Sequence, residues 1–144
     1  MVWSCLVSIL PGMAQTEKLT DYVNPFVGTD GYGNVYPGAQ IPFGGIQISP
    51  DTDSRFYDAA SGYKYNHLTL MGFSLTHLSG TGIPDLGDFL FIPGTGEMKL
   101  EPGTHEDPDQ GYRSRYSHDK EWASPNYYAV ELADYGVKAE MTSG

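Results

Sequence analysis

Glycine and proline recur so often along this chain that few segments are long enough for a helix. The sequence has 18 glycines and 10 prolines in 144 residues, and both residue types interrupt helices and the interiors of sheets. The segments between them are short, apolar and rich in β-branched and aromatic residues, which is typical of strands. With 40% hydrophobic residues, the chain can form one domain with a core. The sequence therefore predicts an all-β fold, an antiparallel β-sandwich.

The clearest strand pair lies near the end of the sequence. Apolar and polar residues alternate from Asn126 to Ala133 and again from Val137 to Met141, and a turn at residues 134–136 separates the two segments. This pattern predicts a hairpin, beyond which the sandwich is expected to be incomplete. Further strands are expected at residues 43–49, 63–65, 68–75, 89–92 and 112–118, the last with Arg113 and Arg115 directed outward.

An apolar segment from Val2 to Leu10 is followed by small residues that end at Ala14. This pattern predicts a signal peptide at residues 1–14, although no Lys or Arg precedes the apolar segment, and hence a secreted or periplasmic protein. The segment is too short to span a bilayer, so no membrane span is expected. The domain at residues 15–144 would then lack cysteine, because the single cysteine, Cys5, lies in the signal peptide.

Charge excludes one class of partner and aromatic composition favours another. The net charge is −10, so a nucleic acid backbone would be repelled. Eleven tyrosines offer flat faces with polar tips, as sugar rings require, although tyrosines are equally usual in β-sandwich cores.

Residues 73–88 form a polar, glycine-rich stretch between two apolar segments. Such a stretch either lines a polar site or caps its own turns. His77, Ser79 and Asp85 could be drawn as a serine-hydrolase triad, but no nucleophile-elbow motif is present. The four histidines lie in unrelated segments, which gives no zinc motif.

A glycosidase would need two carboxylates at a set separation. The candidates in loops are Asp30, Asp58, Asp85 and Asp88.

Several motifs together resemble the N-terminal domain of glycoside hydrolase family 92, the calcium-dependent exo-acting α-mannosidases. The resemblance extends from Asp21 to the end of the chain. The motifs are Asn24-Pro-Phe-Val-Gly-Thr-Asp30, Tyr36-Pro-Gly-Ala39, Ser61-Gly-Tyr63, Thr76-His-Leu-Ser-Gly-Thr-Gly82, Asp85-Leu-Gly-Asp88, Tyr112-Arg-Ser-Arg115 and Ala123-Ser-Pro125.

The resemblance implies a β-sandwich that packs against a separate (α/α)6-barrel domain. The acid, the base and the calcium ligands would belong to that barrel, which this chain lacks, so no catalytic or metal-binding residue is assigned here and the chain alone is expected to be inactive. The implied substrates are mannose-containing glycans, hydrolysed with inversion. This domain would supply one wall of the sugar pocket, through Thr29, Asp30, Gly31, Tyr57, Asp58 and His77.

The sequence departs from the family pattern at the expected pocket. Tyr57-Asp58-Ala59-Ala60 stands where many members have Trp-Asp-Trp-Cys, and Tyr32 and Asn34 stand where members have histidines. These differences leave the linkage preference open. Two other readings are a stand-alone carbohydrate-binding sandwich without catalysis and a sandwich with a purely structural role.

Overall fold

The computed structural model describes residues 17–53, 57–80, 82–85 and 87–143. The predicted signal peptide, Cys5 and Thr81 lie outside these residues. Within them, seven β-strands and four short 3-10 helices form, and no α-helix does. The described part of the chain also contains no helix long and apolar enough to cross a membrane.

All strand pairs are antiparallel and form three small sheets. The sheets pair β1 with β3, β2 with β4, and β5 with β6 and β7 in that order. The strands are β1 (Ser49–Asp51), β2 (Thr69–Leu70), β3 (Gly72–Ser74), β4 (Ser114–Arg115), β5 (Glu121–Ser124), β6 (Tyr127–Leu132) and β7 (Val137–Met141). The 3-10 helices are Leu19–Tyr22, Tyr57–Ala59, Pro108–Gln110 and His118–Lys120.

One hydrophobic core joins the three sheets. It takes side chains from all of them, and their burial provides the main stabilisation because each large apolar side chain removed from water contributes about 1.5–3 kcal/mol. This arrangement confirms the predicted all-β, antiparallel class. The buried members are Ala39, Tyr63, Leu70, Phe73, Tyr116, Tyr128, Val130, Leu132 and Met141.

The predicted hairpin is confirmed. Strands β6 and β7 pair with Leu132 opposite Val137 and Tyr128 opposite Met141. Tyr128, Ala129 and Val130 are all fully buried, so burial alternates only at the end of β6, where Glu131 remains partly accessible and Leu132 is fully buried. Gly136 adopts a φ of 63° in the connecting turn, a conformation that glycine adopts readily.

The strand predicted at residues 43–49 is wrong over most of its length. Phe43 has a φ of 62° and is fully exposed, because the chain turns there and the amide of Gly44 donates to the carbonyl of Ile41. The strand starts at Ser49 and passes through Pro50, beyond the predicted end at residue 49. Proline is tolerated because β1 pairs with β3 alone and leaves an edge.

The strands predicted at residues 63–65 and 89–92 do not form. Phe91 makes a single bridge to Phe73. The adjacent Phe89 has a φ of 53° and is exposed, so residues 89–92 do not form the core strand that their composition favours.

The orientation predicted for Arg113 is also wrong. Arg113 is 2% exposed, not directed outward. Its guanidinium donates to the carbonyl of Thr52 at 2.5 Å and to the Thr69 hydroxyl at 3.2 Å. Arg115 does lie at the surface, where it pairs with Asp109 and Asp134 at 2.8 and 2.9 Å.

Candidate functional site

The polar, glycine-rich stretch at residues 73–88 meets a second glycine-rich loop in the structure. The amide of Gly80 donates to the carbonyl of Asn34 at 2.7 Å, which joins the glycine-rich loop at residues 28–38 to the stretch at residues 73–88. The rings of Tyr36 and His77 lie 5.0 Å apart. Asn34 adopts a φ of 47°, which asparagine tolerates better than most residues. Its buried Oδ1 has no hydrogen-bond partner within the described residues.

His77 forms the centre of a buried hydrogen-bond network. Its Nδ1 lies 2.7 Å from the carbonyl oxygen of Gln47, and its Nε2 lies 3.0 Å from Oδ1 of Asp51. The Ser74 hydroxyl donates to Oδ2 of Asp51 at 2.6 Å. The side chains of His77 and Asp51 are 2% and 5% exposed. Each ring nitrogen of His77 thus lies within hydrogen-bond distance of an oxygen atom, which fixes the orientation of the ring.

The pairing of β1 and β3 builds this network. Ser49 lies opposite Ser74 and Asp51 opposite Gly72, so the carboxylate of β1 reaches the hydroxyl at the end of β3. Gly62 completes the site because a Cβ there would lie 2.1 Å from Oδ1 of Asp51 and 3.0 Å from the His77 ring. Its φ of +88° also favours glycine.

Tyr57 packs against the same glycine-rich stretch. A Cβ at Gly82 would lie 2.4 Å from the hydroxyl oxygen of Tyr57, so the tyrosine can occupy this position only because residue 82 is glycine. Tyr57 is nevertheless 65% exposed and offers an aromatic surface beside the stretch. Asp58 lies in the same 3-10 helix, and its side chain is outside the described part of the structure.

In the third predicted group, Thr29 to Gly31, the residues Thr29 and Asp30 line a separate shallow cavity of about 360 Å³. Thr29 is buried, and its hydroxyl donates to the carbonyl of Phe26 at 2.8 Å. Asp30 is exposed, and its Oδ1 accepts from the amide of Gly31 at 2.7 Å. Tyr65 also lines this cavity. Thr29 thus shapes the loop, whereas Asp30 presents a carboxylate to solvent.

A second buried carboxylate, which the sequence did not single out, lies at the start of β5. Glu121 accepts hydrogen bonds from the hydroxyls of Tyr63 at 3.0 Å and Tyr128 at 2.5 Å. Nδ1 of His118 lies 2.6 Å from its other oxygen, and Nε2 of His118 lies 2.7 Å from the carbonyl of Tyr65. Burial, with the nearby Glu121 charge, raises the pKa of Tyr128 well above its ordinary value.

His67 and His105 form a further polar cluster with Asp53. Their rings lie 4.1 Å apart, and Nε2 of His105 is 3.3 Å from Oδ2 of Asp53. Burial, together with the nearby Arg113 charge, lowers the pKa of His105, although Asp53 opposes this effect. In the part of the chain that the structure describes, no three His, Cys, Asp or Glu residues are grouped so as to hold a metal ion.

Comparison with known proteins places this all-β domain among the glycoside hydrolases. The family described as "Glycosyl hydrolase family 92 N-terminal domain" matches residues 22–144. The chain belongs to glycoside hydrolase family 92, as part of its N-terminal domain. This finding confirms the resemblance seen in the motifs.

One relative is an "Uncharacterized secreted glycosidase" of Arthroderma benhamiae, which is 32% identical over 123 residues that cover 84% of this chain and 15% of the relative. A solved structure of the family 92 glycosyl hydrolase ccman5 superimposes with a TM-score of 0.70 at 31% identity, over 88% of this chain and 18% of that one. The family 92 inverting mannosidase BT2199 from Bacteroides thetaiotaomicron VPI-5482 gives a TM-score of 0.70 at 28% identity, over 90% and 17%. This chain thus spans less than a fifth of each.

Proposed function

We propose that this chain is the N-terminal part of a secreted exo-α-mannosidase that removes terminal α-linked mannose from glycans with inversion. The observation that carries the proposal is the match of residues 22–144 to the family domain, together with structural similarity to an enzyme titled an inverting mannosidase. Secretion is supported by the name of the fungal relative and by the apolar segment at residues 2–10.

In this proposal the chain forms one wall of the mannose pocket. Tyr57 offers an exposed aromatic surface to the sugar ring, with Asp58 beside it. His77 lies too deep for broad contact with a ligand, so we assign it the role of holding the stretch that carries Gly80 and Gly82. Thr29, Asp30 and Gly31 complete the proposed wall.

The catalytic carboxylates are proposed to lie outside this chain. A glycosidase needs one protonated carboxyl group near the leaving oxygen and, for inversion, a second carboxylate that activates water. Three buried carboxylates already have partners within this chain. Asp51 binds His77 and Ser74, Asp53 lies beside His105, and Glu121 binds two tyrosines and His118. Calcium binding is likewise assigned to residues beyond this chain, and no catalytic step is assigned to the ion here.

The test compares the 144-residue chain with the protein translated from the complete coding sequence. We expect the latter to release mannose from α-linked mannobiosides, with β-mannose as the first anomer seen by proton NMR. We expect the 144-residue chain to give no turnover. Hydrolysis by the short chain, or retention of the anomeric configuration, would contradict the proposal.

A stand-alone carbohydrate-binding domain is the second candidate, supported by the exposure of Tyr32 and Tyr57 at 81% and 65%. This function requires that the protein translated from the complete coding sequence bind sugar without releasing mannose. The same assay therefore separates the two functions.

A further inference from the structure

We propose that the shallow cavity beside Tyr65 is a sugar-binding subsite and that His118 is the residue that positions its aromatic wall. The choice of mannose as the ligand rests on the proposed function. Three features support the subsite itself: the cavity, the contacts of Tyr65 and the buried carboxylate of Glu121.

The lining of the cavity suits a neutral sugar ring. The volume of about 360 Å³ lies within the range of roughly 300–1,000 Å³ found for small-molecule sites. Tyr65 and Val27 supply apolar surface, whereas Asp30 supplies an exposed carboxylate. Oδ1 of Asn24 accepts a hydrogen bond from the amide of Phe26. The side-chain nitrogen of Asn24 is therefore the group that remains to donate to a ligand. Apolar surface flanked by a donor and an acceptor matches the faces and hydroxyls of a pyranose.

Tyr65 is fixed in position by contacts on several sides. Its ring stacks on His118 at 3.9 Å with an interplanar angle of 6°, and the ring of Phe26 packs nearly perpendicular to it at 5.8 Å. Its amide donates to the carbonyl of Thr29 at 2.9 Å. The residue is still 38% exposed. Tyr65 therefore belongs both to the loop that forms the cavity and to a rigid aromatic cluster.

The orientation of His118 is in turn set by Glu121. The histidine ring bridges the Glu121 carboxylate and the Tyr65 carbonyl through its two nitrogens, at 2.6 and 2.7 Å. Glu121 is held by two tyrosine hydroxyls, and its side chain is 1% exposed. Hydrogen bonds at both ring nitrogens limit rotation of the ring. A continuous chain of contacts thus runs from the core to the cavity.

The test is a titration of the ¹⁵N-labelled 144-residue chain with methyl α-mannoside, followed by amide chemical shifts. We expect saturable shifts at residues 26–31 and at Tyr65. Shifts confined to Tyr57 and residues 77–82 would overturn the subsite and the assignment of residues 29–31 to the pocket wall, while leaving the proposed mannosidase activity intact. An absence of shifts at residues 26–31 at any sugar concentration would also overturn it, whereas the proposed function is decided separately by mannose release.

Variants test the two residues at the centre of the inference. Tyr65→Ala should weaken binding at residues 26–31 by about fivefold, the loss expected for one aromatic contact. Leu100→Ala, a change at an exposed residue that does not line the cavity, should leave that affinity unchanged. Equal affinities for wild type and Tyr65→Ala would contradict the subsite.

The positioning role needs a control for stability. His118→Ala and Glu121→Gln should each weaken binding at the cavity by at least about threefold, as expected for the loss of one hydrogen bond. Val130→Ala, a core change that lowers the melting temperature, should leave the affinity unchanged. If Val130→Ala weakens binding as much as His118→Ala does, the positioning role is wrong.

Discussion

Gly62 has an unusual position because the side chains of Asp51 and His77 lie directly against it. The Cβ of any other residue would lie 2.1 Å from Oδ1 of Asp51, closer than real contacts allow. The position also has a φ of +88°, which costs a residue with a side chain about 1–2 kcal/mol. The Asp51 and His77 pair therefore depends on a third residue that bears no side chain.

We expect Gly62→Ala to lower the free energy of unfolding by more than about 3 kcal/mol, because backbone strain adds to disruption of a buried pair. Gly80→Ala is the matched control, since Gly80 has a φ of +75° but open space where a Cβ would lie. The control should cost only the strain, about 1–2 kcal/mol. Urea unfolding of both variants measures the difference, and equal losses would mean that contact with Asp51 is unimportant.

The buried tyrosines around Glu121 predict how stability depends on pH. Burial, followed by nearby charges, raises the pKa of Tyr63, Tyr116 and Tyr128 in the folded chain. In the unfolded chain these groups ionise near pH 10. A group with a raised folded pKa stabilises fully below its unfolded pKa and loses that contribution as pH rises further. We therefore expect stability to fall above about pH 10.

Unfolding in urea at several pH values from 8 to 11 checks this expectation. Tyr128→Phe should reduce the slope of the free energy of unfolding against pH, because the variant removes one of the groups that release a proton on unfolding. A free energy of unfolding that stays constant through pH 11 would contradict the assignment of these phenols as buried and protonated.

Among the elements, the hairpin of β6 and β7 is the one that its own residues determine most completely. Its alternation has the period of a half-buried strand, and its turn residues suit a tight connection. Leu132 is fully buried on the core face. Glu131 lies on the other face and pairs with Lys120 at 3.0 Å.

Leu132→Ala should therefore lower the free energy of unfolding by about 2–5 kcal/mol, the cost of a cavity in a core. Glu131→Ala should change it by no more than about 1 kcal/mol, because it removes only a surface pair. Urea unfolding tests both, and a larger loss from the Glu131 variant would mean that the register of the strand is shifted by one residue.

The strands that sequence patterns failed to predict depend on distant partners. β1 is set by pairing with β3 more than twenty residues away, and nothing in residues 49–51 signals that a strand passes through Pro50. Arg113 lies inward because its acceptors belong to Thr52 and Thr69, which are far away in sequence. Alternation within 112–118 therefore gave the wrong orientation for this arginine.

Only part of the candidate site could likewise be predicted from the sequence. The glycine-rich segments marked where it lies, because glycine clusters between apolar segments are unusual. The sequence did not mark Asp51 as the partner of His77, since the carboxylate lies next to a proline in a segment that reads as the end of a strand. Tyr65 and Glu121 were missed because their importance depends on stacking and burial, which local patterns do not report.

Considered as one molecule, the protein is held together by a core and buried polar networks without a metal site in its described part. We expect a chelator such as EDTA to leave the melting temperature of the 144-residue chain unchanged. A decrease in the presence of EDTA that added calcium reverses would place a calcium site within this chain. Circular dichroism during a thermal scan gives the measurement.

The Glu121 network also bears on the order in which the chain folds. Strands β5 to β7 are consecutive in sequence, so they can pair after closing only short loops. The Tyr63 hydroxyl reaches Glu121 across 58 residues, and such contacts carry a larger entropy of loop closure. We expect the C-terminal sheet to form early and the segment around Tyr63 to dock on it afterwards. Removal of the Tyr63 hydroxyl should then accelerate unfolding much more than it slows folding.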